Sequence, residues 1–113
     1  MTAQDVIDEV REQLNDMSEQ SDNYRFSDAE MLRAVTDANY QLAGDRKDLL
    51  LTAAGAYEVI VDITTTGQTL FFESNMRSAL SHFVSQIILT KDSEDDQNMK
   101  LAGFHLNKYN SLI

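Results

Sequence analysis

Apolar residues recur at helical spacing in four separate stretches, and this restricts the chain to a mainly helical fold. The first stretch places Val6, Ile7, Val10, Leu14 and Met17 on one narrow stripe, with Thr2 as its N-cap. The second runs through Met31, Leu32, Val35, Ala38, Asn39 and Leu42, and Gly44 marks its end. The third carries Met76, Ala79, Leu80, Phe83, Val84, Ile87 and Ile88, a stripe wide enough for the most buried helix, with Ser74 in position to cap it. The fourth starts at Ser93-Glu94-Asp95-Asp96, where Ser93 caps and the acids suit the first turn. Its Met99, Ala102, Leu106 and Tyr109 share one face. Leu101, Phe104 and Ile113 fall off that line and suggest a second contact face.

The clearest start signal precedes the second helix. In Phe26-Ser27-Asp28-Ala29-Glu30-Met31, Ser27 caps and Glu30 stands where its side chain reaches back to the Ser27 amide. Phe26 and Met31 occupy the two hydrophobic-staple positions and fix the angle at which the chain enters the helix.

The segment between the second and third helices reads differently. Residues 45–56 suit either a short helix or an extended strand. Residues 57–63, YEVIVDI, alternate in the β manner, with Val59, Val61 and Ile63 on one side. Thr64 to Gly67 is a turn cluster, and Gln68 to Phe72 reads as a second strand. The expected fold is therefore a single mainly α domain over residues 1–113. It is a four-helix bundle with a β-hairpin inserted between the second and third long helices. A lone hairpin is marginal in water, so this one must lie on the helices or on another chain. Val59, Val61, Ile63, Leu70, Phe71 and Phe72 offer more apolar surface than one covered face can hide. With the turn at Gly67 and with Phe104, Tyr109, Leu112 and Ile113 of the last helix, they are the interface candidates.

Charge narrows the possible partners. The 113 residues carry a formal net charge of −10, with 19 acids and 9 Lys and Arg. A broad basic surface for gripping nucleic acid phosphates is excluded. Most of the excess acid lies in two places. The first helix and the residues after it hold Asp5, Asp8, Glu9, Glu12, Asp16 and Glu19, with Arg11 the lone base among them. Asp92, Glu94, Asp95 and Asp96 form the second cluster. A solvated helix face and a charged helix start explain this distribution; a surface that repels DNA or docks on a basic partner is the sharper alternative.

No residue pattern calls for catalysis, and neither a cofactor nor a metal is expected. There is no cysteine, which removes thiolate chemistry, disulfides and Cys-type zinc sites. His82 and His105 each lack a second ligand three or four residues away, so both read as packing or surface residues. Ser81 and His82 are neighbours that point about 100° apart on a helix and cannot serve each other. The four glycines are isolated, without a phosphate-cradling loop. No apolar run is long enough to span a membrane. The acidic N-terminal sequence does not resemble a secretory signal, so a soluble intracellular domain is expected.

Two stretches together resemble a known family. Phe26-Ser27-Asp28-Ala29-Glu30-Met31-Leu32, continuing to Asp37-Ala38-Asn39-Tyr40-Gln41-Leu42-Ala43, is similar to the opening helix of small head-to-tail adaptor proteins of tailed bacteriophages. Ala79 to Val84, Thr90 to Glu94, Asn98 to Ala102 and Tyr109 to Leu112 are similar to the helix pair that ends those adaptors. The resemblance covers about two thirds of the chain in the right order. Phe26 stands where family members often have Trp, and the family's proline between the second and third helices is absent. The resemblance implies a virion neck protein, made in the host cytoplasm. It implies a ring, usually of twelve copies, beneath the portal protein. Such a ring offers a docking surface to the next neck or tail protein and passes DNA without sequence-specific binding. The alternative is a small acidic helical binding or inhibitory protein that docks on a basic partner.

Overall fold

The computed structural model describes residues 1–14, 26–91 and 96–113. Its four helices are α1 (Ala3–Gln13), α2 (Asp28–Asp45), α3 (Arg77–Lys91) and α4 (Asp96–Leu112), with short 3-10 turns at Lys47–Leu50 and Ser74–Met76. The mainly helical expectation is met. Met17, Asp16, Glu19, Ser93 and the acids Asp92, Glu94 and Asp95 lie outside the described residues.

Local signals account for the helix starts. Thr2 and Asp5 make a reciprocal capping box, in which the Asp5 amide donates to Thr2 Oγ1 and the Thr2 amide donates to Asp5 Oδ2 at 2.9 Å. At α2 the Glu30 amide donates to Ser27 Oγ at 3.2 Å. The return bond from the Ser27 amide to Glu30 is not made, so half of the expected box forms. Phe26 and Met31 are both buried in the core, as staple residues should be. Ser74 opens a 3-10 turn without a side-chain cap, and α3 begins at Arg77.

Helix α3 is the central element and packs against the other three helices. Its Ala79, Leu80, Val84 and Ile88 meet Val6, Ile7 and Val10 of α1 and Met31, Val35, Ala38 and Leu42 of α2 in one hydrophobic cluster. Burying each of the Val, Leu, Ile and Met side chains contributes about 1.5–3 kcal/mol, and the alanines less. Ser81 and Ser85, one turn apart on α3, are buried and let α1 approach closely. Ser81 Oγ donates to Glu9 Oε2 at 2.7 Å, and Ser85 Oγ donates to Gln13 Oε1 at 2.6 Å. Arg11 is also buried, 3% exposed. Its guanidinium donates to the Phe26 carbonyl at 3.0 Å and to Asp28 Oδ1 at 2.9 Å, tying α1 to the start of α2.

The bundle is a three-helix core with α4 laid along α3. Among the described residues, α4 is also fastened at its C-terminal end. Tyr109 Oη donates to Asp45 Oδ2 at 2.7 Å, and Arg46 Nη1 donates to the Ile113 carbonyl at 2.7 Å. The face of α4 turned to α3 is Asn98, Ala102, His105 and Tyr109. Met99 and Leu106, expected on that face, are 48% and 36% exposed. The helix is rotated by about half a residue step from the expected setting.

The expected β-hairpin is not formed. Among the described residues there is no strand pair, only isolated bridges at Thr2–Thr69 and Leu51–Tyr57. The reason lies in where the backbone groups are used. Residues 66–70 cover the N-terminus of α1. The Ala3 amide donates to the Gln68 carbonyl, the Gln4 amide to the Thr66 carbonyl and the Leu70 amide to the Met1 carbonyl. The first two bonds satisfy amides that a helix start leaves unpaired, and all three remove the second strand from its intended partner. Residues 57–63 remain extended and are held on α2 by side chains. Residues 45–56, open between helix and strand, form the 3-10 turn and then a tight loop in which Gly55 takes φ 83°, a conformation that favours glycine.

Candidate functional site

Two exposed apolar surfaces stand apart from the core. The first is the extended segment from Tyr57 to Asp62. The Ile63 amide donates to Thr36 Oγ1 at 2.9 Å, and Tyr40 Oη donates to Asp62 Oδ1 at 2.9 Å, so α2 fixes one end of the segment. Tyr57, Val59 and Val61 then point away from α2 and are 65%, 82% and 61% exposed. Glu58 stands between Tyr57 and Val59, and Asp62, its carboxylate turned to Tyr40 of α2, ends the segment, so this surface is apolar with acids at its edges.

The second surface is one flank of α4. Leu101, Phe104 and Leu112 are exposed there. Lys100 and Lys108 border them, and Lys108 Nζ stands 5.7 Å from the centre of the Phe104 ring. Residues 98–113 contain no acid. In a chain of net charge −10, this flank is apolar and basic.

The structure divides the interface candidates. Val59, Val61, Phe71, Phe104 and Leu112 are exposed, and Gly67 sits in an exposed turn. Ile63, Leu70, Phe72 and Tyr109 are buried in the chain's own core, so as contact residues they are corrected to core residues. Ile113 is half-buried against the core, where its carbonyl accepts from Arg46. The turn at 64–68 is not a free tip. Its carbonyls cap α1, and Gln68 knits it together by accepting from the Thr64 amide and donating to the Asp62 carbonyl.

The acidic residues of α1 also separate. Asp8 and Glu12 are exposed. Asp5 serves the cap, and the Thr2 amide holds its carboxyl below the usual carboxylate range. Glu9 is half-buried, accepting from Ser81 and lying 3.4 Å from Arg77 Nε. These four carboxylates and Arg77 line a shallow groove.

The sequence reading missed one pairing. His82 of α3 and His105 of α4 meet with their Nδ1 atoms 2.8 Å apart and ring centres 5.1 Å apart. Burial pushes both imidazoles below the ordinary histidine value of 6.5. The two residues are 23 positions apart, and only the register of α3 against α4 brings them together. Among the described residues no group of three His, Cys, Asp or Glu could hold a metal ion, and no helix is long and apolar enough to cross a membrane.

Comparison with protein-family models, curated proteins and solved structures finds no match.

Proposed function

We propose that the chain is a structural subunit of a bacteriophage neck. It assembles head to tail into a ring that joins the portal to the tail and extends the DNA channel. The observation that carries this reading is the pair of exposed apolar surfaces of opposite charge. The segment Tyr57–Asp62 of one copy seats on the basic α4 flank of the next, with Glu58 facing Lys100 and Lys108 and Asp62 adding negative charge at the edge of the contact. Two copies that each carry −10 repel one another overall, so a local match of charge selects this contact over like-on-like pairing. A contact between two different faces leaves each face of the assembly open to another copy, and it closes into a ring when the rotation permits. The number of copies, twelve, and the portal and tail partners rest on the resemblance of the α2 and α3–α4 sequences to the adaptor family.

Light scattering on the purified chain, alone and with portal protein, tests this reading. A ring-sized species supports it. A monomer that never joins portal at high concentration rejects it.

The exposed carboxylates of α1 favour a second reading, a small acidic protein whose helix face docks on a basic partner. Neutralising Asp8 and Glu12 separates the two. A docking face gives slower partner association, with the deficit shrinking as salt rises. A channel-lining face gives salt-sensitive sticking of DNA to the ring.

A further inference from the structure

We propose that His82 and His105 form a proton-operated latch that holds α4 on α3 and releases it in mild acid. The latch stands on geometry. The two Nδ1 atoms are 2.8 Å apart, so one ring donates an N–H and the other accepts it on a bare nitrogen. His105 is buried, 6% exposed, with the edge of its pocket closed by the Phe104 ring at 5.3 Å. His82 is half-buried.

Protons enter this pair unequally. The first goes to the outer nitrogen of the donor ring. It leaves the N–H···N bond in place and charge-assisted, but burial of the cation outweighs this and keeps the step below the ordinary histidine value. The second has only the accepting Nδ1 left to occupy. It replaces the bond by two N–H groups facing each other on two cations in contact, one of them buried. Like charges this close cannot both persist in the packed arrangement, and α4 is the element free to move. Among the described residues it packs chiefly along α3, and Tyr109 and Arg46 hold its C-terminal end.

The surrounding charges do not rescue the doubly protonated pair. Glu9 from α1 favours the charged form of His82, and Lys108 from α4 disfavours it. The charge of His82 itself disfavours charging His105. Among the described residues, α2 contributes no charged group that acts on either ring. Burial acts in the same direction as the mutual repulsion. The folded state therefore holds fewer protons than the unfolded state below about pH 6.5, and stability falls as pH falls through that range. Asp5 and Asp48, whose carboxyls lie below the usual range, protonate in a lower window.

Hydrogen exchange of the α4 amides between about pH 7.5 and 5, corrected for intrinsic rates, reads the latch directly. The expected result is an opening equilibrium for α4 that rises about tenfold or more over this range, with α1 and α2 protected throughout. The variant His82→Gln/His105→Gln, which cannot titrate, should show no such rise. An equal rise in that variant, or no rise in the wild-type chain, overturns the proposal. The imidazole resonances of the wild-type chain give a second measurement that needs no substitution. Two separated midpoints, both below 6.5, are expected, and two independent titrations at the ordinary value overturn the latch.

Discussion

Replacing Arg11 by alanine should cost far more than its surface ion pair with Asp28 would suggest. Among the described residues the guanidinium reaches two acceptors of different kinds. Asp28 is 63% exposed on its side chain, so water screens that contact and it contributes at most about 1 kcal/mol. The Phe26 carbonyl is buried, and a charged donor to such a group is worth about 1.5–3 kcal/mol. Loss of the buried stem of Arg11 adds to this. The expected cost of Arg11→Ala is about 2–4 kcal/mol. That is a drop in Tm on the order of 10–20 °C for a domain of this size. Asp28→Asn should cost about 1 kcal/mol or less. Urea unfolding followed by circular dichroism measures both. If Arg11→Ala loses under about 0.5 kcal/mol, or if the two variants lose equal amounts, the bond to the buried carbonyl is not what ties α1 to α2.

Three further outcomes are expected. Asp8→Asn/Glu12→Gln should leave thermal stability unchanged or slightly higher, because like charges four residues apart oppose the helix; Glu9→Gln should lower it, because Glu9 ties α1 to Ser81 and Arg77. Deleting residues 64–68 should destabilise α1, since the Gln68 and Thr66 carbonyls satisfy its first amides; a deletion that leaves the far-ultraviolet spectrum and Tm intact contradicts this. Tyr109→Phe should cost about 1 kcal/mol through the lost bond to Asp45, and Tyr109→Ala about 3–5 kcal/mol through the cavity left beside Phe83; equal losses in the two variants would show that ring packing contributes nothing.

The helices were legible because their signals are local. Thr2, Ser27 and the stripes of α1, α2 and α3 are set by propensity and periodicity, which need no knowledge of the rest of the chain. The hairpin was misread for the same reason. YEVIVDI has strand composition, but a strand exists only with a partner, and its intended partner is spent on the start of α1. The setting of α4 was misjudged by about half a residue step because Asn98 and His105 face inward as polar residues while Met99 and Leu106 face out. Arg11 left one trace, a lone base on an acidic helix, one turn beyond the buried Ile7. The His82–His105 pair left none, since it depends on helix register alone. Of the candidate contact surface, Val59, Val61, Phe104 and Leu112 were found from apolar excess. The opposite charge of the two surfaces emerges only when the fold separates Glu58 and Asp62 from Lys100 and Lys108.

The head-to-tail contact is tested most directly by mixing two variants that each lack one face. Val59→Ser/Val61→Ser removes the apolar part of the extended segment, and Leu101→Ser/Phe104→Ser removes that of the α4 flank. All four side chains are exposed, so each variant should keep the fold and sediment as a monomer. An equimolar mixture retains one intact segment and one intact flank, and the expected species in sedimentation velocity is a heterodimer that grows no further. Rings formed by either variant alone, or a mixture that stays monomeric while the wild-type chain assembles, would contradict the contact.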